Sequence, residues 1–129
     1  MTRTPTPTDR GPADHAAPLL QAVRLAAGYR GDAVIEEVSC EFHPRELVGI
    51  VGPNGCGKST LLKALAGNLS VMSGQVMLEG RPLSTVSRHR RARLLAMLPQ
   101  HPDAPPGMTV RDLVQCGRAP HARWYQPFN

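Results

Sequence analysis

Gly52-Pro53-Asn54-Gly55-Cys56-Gly57-Lys58-Ser59-Thr60 decides how this chain is read. Gly52 to Ser59 fit the phosphate-loop pattern G-x-x-x-x-G-K-[ST] without a mismatch. Each fixed position has a physical task. The glycines let the backbone turn tightly and bring its N–H groups against phosphate oxygens. Lys58 supplies a compact ammonium for the β- and γ-phosphates, and the Ser59 hydroxyl is placed to ligate Mg²⁺. A helix beginning near Lys58 points its positive end at the same anion. The flanks agree with this. Leu47 to Val51 is an apolar run that reads as a buried strand, and Leu61, Leu62 and Leu65 follow at helical spacing. A glycine-rich turn before an ordinary helix would explain the glycines but not the Lys-Ser pair.

Outward from the loop, the chain reads as alternating short elements. Leu20, Ala22, Val23 and Leu25 suggest a strand ending at Gly28-Tyr29, with a turn at Arg30-Gly31-Asp32. Val34, Val38 and Phe42 mark a second extended segment, and Pro44-Arg45-Glu46 a second turn. The loop helix should stop at Gly67-Asn68. Gly74 and Gly80 enclose a short strand, Gln75 to Glu79. Arg88 to Arg93 reads as a basic helix, and Leu94 to Leu98 as a second buried strand before Pro99-Gln100. A loop from Pro102 to Gly107 precedes a helix with Thr109 as its cap. Residues 1–18, rich in Pro, Thr and Ala, read as a disordered tail.

The 129 residues suffice for one small domain, and 41% hydrophobic content permits a core. At 4% aromatics that core must be aliphatic. A net charge of +5 suits phosphate ligands or nucleic acid without deciding between them. No run of 18 apolar residues is present and Met1 to Thr8 lack the apolar centre of a secretion signal, so a cytoplasmic location is expected. The three cysteines form no C-x-x-C pair and read as reduced thiols. Cys56 is either a reactive thiol near a helix N-terminus or the filler of a variable loop position. The histidines show no ligand spacing.

From Leu19 to Gln126 these residues resemble the first half of the ATP-binding subunit of ABC transporters. The loop and the Leu61-Leu62 that follow it are close to that family's version. Tyr29, 23 residues before Gly52, stands where the family places an aromatic that stacks on adenine; the other reading is a tyrosine that closes its strand. Gln100 resembles the glutamine that reaches Mg²⁺ and the attacking water. Thr109 to Val114 and Gly117 to His121 are similar to the branch importing iron–siderophore, haem or cobalamin complexes. The resemblance implies an α/β fold, a P-loop NTPase with a RecA-like core plus an antiparallel β subdomain, over residues 19–129. It implies that the chain stops before the helical subdomain is complete, as an N-terminal portion.

It further implies binding of ATP and Mg through Tyr29, Gly52, Pro53, Asn54, Gly55, Cys56, Gly57, Lys58, Ser59 and Thr60, with Ser59 and Gln100 as the metal side chains. The implied partners are transmembrane permease subunits and a second nucleotide-binding subunit, head to tail, at the inner face of the cell membrane, with no nucleic acid. An acidic strand ending in Asp-Glu, a Leu-Ser-Gly-Gly-Gln-type loop and a switch histidine do not follow Gln100, so ATP hydrolysis by the chain alone is not expected. Two further readings stay open at this point. One is a small P-loop kinase or NTPase, which needs a later Asp for Mg²⁺. The other is a basic module binding nucleic acid through Arg88, Arg90, Arg91 and Arg93.

Overall fold

The computed structural model describes residues 17–100 and 105–121. The expected tail over 1–18 falls almost wholly outside them, as do the first part of the Pro102–Gly107 loop and Trp124 to Asn129.

A four-stranded antiparallel sheet in the order β2-β1-β3-β4 carries the fold. β1 (Leu20–Tyr29) and β2 (Asp32–Phe42) form a hairpin across Arg30-Gly31, with Leu20 opposite Phe42 and Tyr29 opposite Asp32. β3 (Val71–Leu78) pairs with the other edge of β1, and the two-residue β4 (Arg81–Pro82) pairs with β3. β1 buries Ala22, Leu25 and Ala27, a spacing of three and then two. Strict alternation would put Ala22 and Leu25 on opposite faces. A bulge restores them to one face: the register shifts between Ala22 and Leu25, and Arg24 between them has φ 43°. Opposite the bulge lies Gly74, φ 73°, where an added Cβ would stand 2.0 Å from the Arg24 carbonyl oxygen. Only glycine allows that approach. Gly74 is therefore inside β3, not a turn before it, and the strand begins three residues earlier, at Val71.

α1 (Lys58–Leu65) lies across the sheet. Its Ala64 and Leu65 join Leu25, Ile35, Val76, Leu78 and Leu83 in one aliphatic core. Leu25 is fully buried, which stabilises the fold by about 1.5–3 kcal/mol. α1 stops as its sequence suggests. The Asn68 N–H donates to the Lys63 carbonyl at 2.8 Å and the Gly67 N–H to Ala64 at 2.9 Å, with Gly67 left-handed at φ 70°. α2 (Arg88–Leu94) starts at Ser87, whose hydroxyl accepts from the Arg90 N–H at 3.3 Å. α3 (Val110–Cys116) has a reciprocal cap: the Thr109 hydroxyl accepts from Asp112 N–H, and the Asp112 carboxylate accepts from Thr109 N–H.

Two expected strands are not formed. Leu47 to Val51 joins no sheet, and its Leu47 is fully exposed. Leu94 closes α2, with the Leu95 N–H donating to the Arg91 carbonyl, and residues 95–98 carry no ladder. A strand exists through its neighbour's hydrogen bonds, and among the described residues neither run has such a neighbour. Among the described residues the antiparallel part of the expected α/β fold is thus formed, whereas the RecA-like core is represented by α1 and two unpaired apolar runs.

Candidate functional site

The glycine loop joins the unpaired run 47–51 to α1. Gly57 is the residue just before the helix, at φ 93°, a conformation that residues with a side chain rarely adopt. A Cβ here would also lie 2.5 Å from Cγ2 of Ile35 and 3.4 Å from the Val34 carbonyl oxygen. The loop therefore rests directly on β2, three residues from the β1–β2 turn, and Gly57 is what allows it to sit there. Having no side chain, Gly57 gives the helix no cap. The amides of Gly55 to Ser59 donate to no group of the described chain; the first helical bond is from Leu61 N–H to the Gly57 carbonyl, at 2.8 Å. Those amides, at the positive end of α1, are the donors an anion needs.

Lys58 folds back over the loop. Its Nζ donates to the carbonyls of Gly52 at 2.8 Å and Pro53 at 2.6 Å, with the Cys56 Sγ at 3.8 Å. Two of the three ammonium protons thus hold the charge above the loop. An ammonium at this place adds a full positive charge to the partial charge of the helix N-terminus. Ser59 is exposed and its hydroxyl makes no hydrogen bond among the described residues. Thr60, grouped with the ligand residues on resemblance, is buried at 5% exposure. It can offer its backbone amide, while its side chain packs inside. Pro53, Asn54, Gly55 and Cys56 are all exposed along the loop. The Cys56 thiol is free, as are those of Cys40 and Cys116. Burial pushes the Cys40 thiol upward.

Tyr29 ends β1 and is 44% exposed. A partner not read from the sequence holds it: Lys63 of α1, whose Nζ lies 5.7 Å from the ring centroid and 3.4 Å from the hydroxyl. The sequence held a faint signal for this. Lys63 is the chain's other lysine, five residues beyond Lys58. The ammonium over the ring ties the end of the hairpin to the helix that opens with the phosphate loop. Tyr29 and the loop are thereby placed at the same end of the sheet. The Ile35 buttress under Gly57 left no mark in the sequence.

Gln100 is exposed at the end of the run 95–98 and makes no hydrogen bond among the described residues. No described contact brings it to Lys58 or Ser59. No cluster of His, Cys, Asp or Glu suited to a metal occurs among the described residues. The donor set still fits magnesium of one kind. Mg²⁺ keeps several waters and takes few protein oxygens when phosphates supply the rest, and the exposed Ser59 hydroxyl, with no hydrogen bond among the described residues, would suit that need. The basic helix α2 ties one arginine to the turn between β3 and β4, Arg90 to Glu79 at 3.0 Å.

Residues 35–126 match the family described as ABC transporter. The chain belongs to that family. It is 41% identical over 105 residues to the achromobactin transport ATP-binding protein CbrD of Dickeya dadantii, covering 81% of this chain and 39% of that protein. It is 46% identical over 103 residues to the hemin import ATP-binding protein HmuV of Pseudomonas fluorescens, covering 80% and 40%. A solved structure of an ATP-binding subunit of an ABC transporter superposes with a TM-score of 0.70 at 26% identity, over 80% of this chain and 42% of that one. The chain spans about two fifths of the length of the relatives it matches. This ABC-family membership explains the loop, the hairpin sheet and the order in which they occur, and it displaces the small-kinase reading. Among the described residues no helix is long and apolar enough to cross a membrane.

Proposed function

We propose that the chain binds magnesium–ATP at the loop Gly52–Thr60 and belongs to the machinery that energises import of a metal chelate, such as an iron–siderophore complex. The observation that carries this is the Lys58 ammonium, held by two loop carbonyls beside amides that have no partner among the described residues. Phosphoryl-transfer sites work chiefly by positioning and charge stabilisation, and this arrangement supplies positioning. Backbone amides and Lys58 would hold the phosphates, and Ser59 would hold the metal. Tyr29 would offer its ring to the base. Magnesium held at Ser59 would supply positive charge to offset that of the phosphates.

Gln100 would act near the metal and water once the run preceding it is held in a sheet. In this reading the natural partners are transmembrane permease subunits and a second nucleotide-binding subunit packed head to tail. The location is the inner face of the cell membrane, and no nucleic acid is required. The names of the siderophore and hemin relatives support the class of cargo.

The test is equilibrium binding of ATP, with and without Mg²⁺, to the chain and to its Lys58→Ala variant. Binding that is strengthened by magnesium and abolished in the variant is expected. Equal binding by both proteins would remove the assignment.

A further inference from the structure

Lys63 carries a charge that the phosphate loop does not use. It is exposed on the second turn of α1, five residues and so about 7.5 Å beyond Lys58 along the helix. Among the described residues no carboxylate lies within ion-pair distance of it. Its hydrogen bond to the Tyr29 hydroxyl, at 3.4 Å, is longer than the usual amine-to-oxygen bond of about 2.7–3.2 Å. An ammonium has three protons to donate, so this contact leaves most of its capacity unspent. The same nitrogen is 5.7 Å from the ring centroid, much farther than from the hydroxyl. It therefore leans in at the hydroxyl edge and leaves a ring face open. Tyr29 is 44% exposed, so a flat group has room to lie on that face. A base stacked there turns one of its edges toward Lys63.

We propose that Lys63 donates a hydrogen bond to N7 of a purine stacked on Tyr29, and so makes the site selective for purine nucleoside triphosphates. The proposal rests on nucleotide binding at the loop Gly52–Thr60 and adds which feature of the base is read. The helix fixes the edge. Phosphates lie at the N-terminus of α1 and Lys63 stands on that same helix, so the base edge facing Lys63 is the one on the phosphate side. In the ordinary anti conformation of a purine nucleotide this is the C8–N7 edge. The chemistry fixes the atom. An ammonium only donates, and N7 is an acceptor that adenine and guanine share. The corresponding edge of cytosine or uracil carries only C–H groups. Stacking on an aromatic ring tolerates every base, so the charged donor supplies the discrimination that Tyr29 lacks.

The test compares ATP with 7-deaza-ATP, in which a C–H group replaces N7 and the stacking ring is kept. Binding of each to the full chain with Mg²⁺ is measured by calorimetry, with inorganic tripolyphosphate as a probe that has phosphates and no base. The wild type should bind ATP about tenfold more tightly than 7-deaza-ATP, the scale of one hydrogen bond to a charged group. Lys63→Met keeps the length of the side chain and removes the donor. It should bring ATP and 7-deaza-ATP to the same affinity and weaken ATP several-fold more than tripolyphosphate. Lys63→Arg should restore the preference. Equal binding of ATP and 7-deaza-ATP by the wild type would overturn the proposal, and that result needs no variant to fold. So would a preference that survives in Lys63→Met. A loss in that variant equal for ATP and tripolyphosphate would also overturn it, since Lys63 would then act as a general charge near the phosphates. Lys58-dependent ATP binding that ignores N7 would leave the phosphate site standing and remove only this role of Lys63, whereas binding independent of Lys58 would remove both.

Discussion

Gly57→Ala tests the seating of the phosphate loop on the hairpin, and its cost can be worked from the structure. Gly57 has φ 93°, and an alanine Cβ would stand 2.5 Å from Cγ2 of Ile35. Holding a non-glycine residue in left-handed backbone costs about 1–2 kcal/mol. Ile35 cannot swing away, because it is β-branched and only 7% exposed, so the clash adds about 1–3 kcal/mol of overpacking strain. The total, about 2–5 kcal/mol, is a large share of the stability of a small domain. Urea denaturation of Gly57→Ala, Ile35→Ala and the double variant separates the two parts. Ile35→Ala removes the clashing methyl, so in that background Gly57→Ala should cost only the backbone part, with a coupling of about 1–3 kcal/mol. Additive costs would mean that the loop does not rest on β2, and the close approach would be refuted.

Tyr29→Ala should weaken ATP binding by about 1–3 kcal/mol, the scale of one base–aromatic stack, and GTP binding equally. Tyr29→Phe should retain that affinity while losing the hydroxyl contact to Lys63; unchanged affinity in Tyr29→Ala would leave the ring only closing its strand. Phosphate release by the purified chain should show no Lys58-dependent turnover, and a rate near or above about 1 s⁻¹, ordinary for enzymes, would contradict that. Acid should loosen α3. The hydroxyl of Thr109 donates to the Asp112 carboxylate at 2.6 Å, and with the Thr109 N–H it holds that carboxyl below the usual range. A lowered folded-state pKa means the cap's contribution is present above the unfolded value and is lost as pH falls through the folded one. Amide exchange in residues 110–116 should rise over that window, and Asp112→Asn should abolish the dependence.

The parts legible in the sequence are those whose signals are local. The phosphate loop is specified by residue types at fixed spacing, α1 by its stop at Gly67-Asn68, α3 by Thr109 and Asp112, and the hairpin by apolar positions around Arg30-Gly31. The parts that were not legible depend on residues distant in sequence. An apolar run such as Leu47 to Val51 has the composition of a buried strand, but composition cannot supply the neighbour that makes it one. Gly74 looked like a turn because its partner, the bulge at Arg24, is fifty residues away. Lys63 over Tyr29 is likewise a contact between elements, and Thr60 is buried because α1 turns it inward, which no motif states.

The central claim is that the loop amides and Lys58 receive the phosphates of a nucleotide. Titrating the ¹⁵N-labelled chain with magnesium–ATP, and following its amide resonances, tests this most directly. Saturable shifts are expected at Gly55, Gly57, Lys58, Ser59 and Thr60, with a response at Tyr29 and none along α3. All of these should vanish in Lys58→Ala. Shifts confined to the arginines of α2, with the loop resonances unmoved, would contradict it.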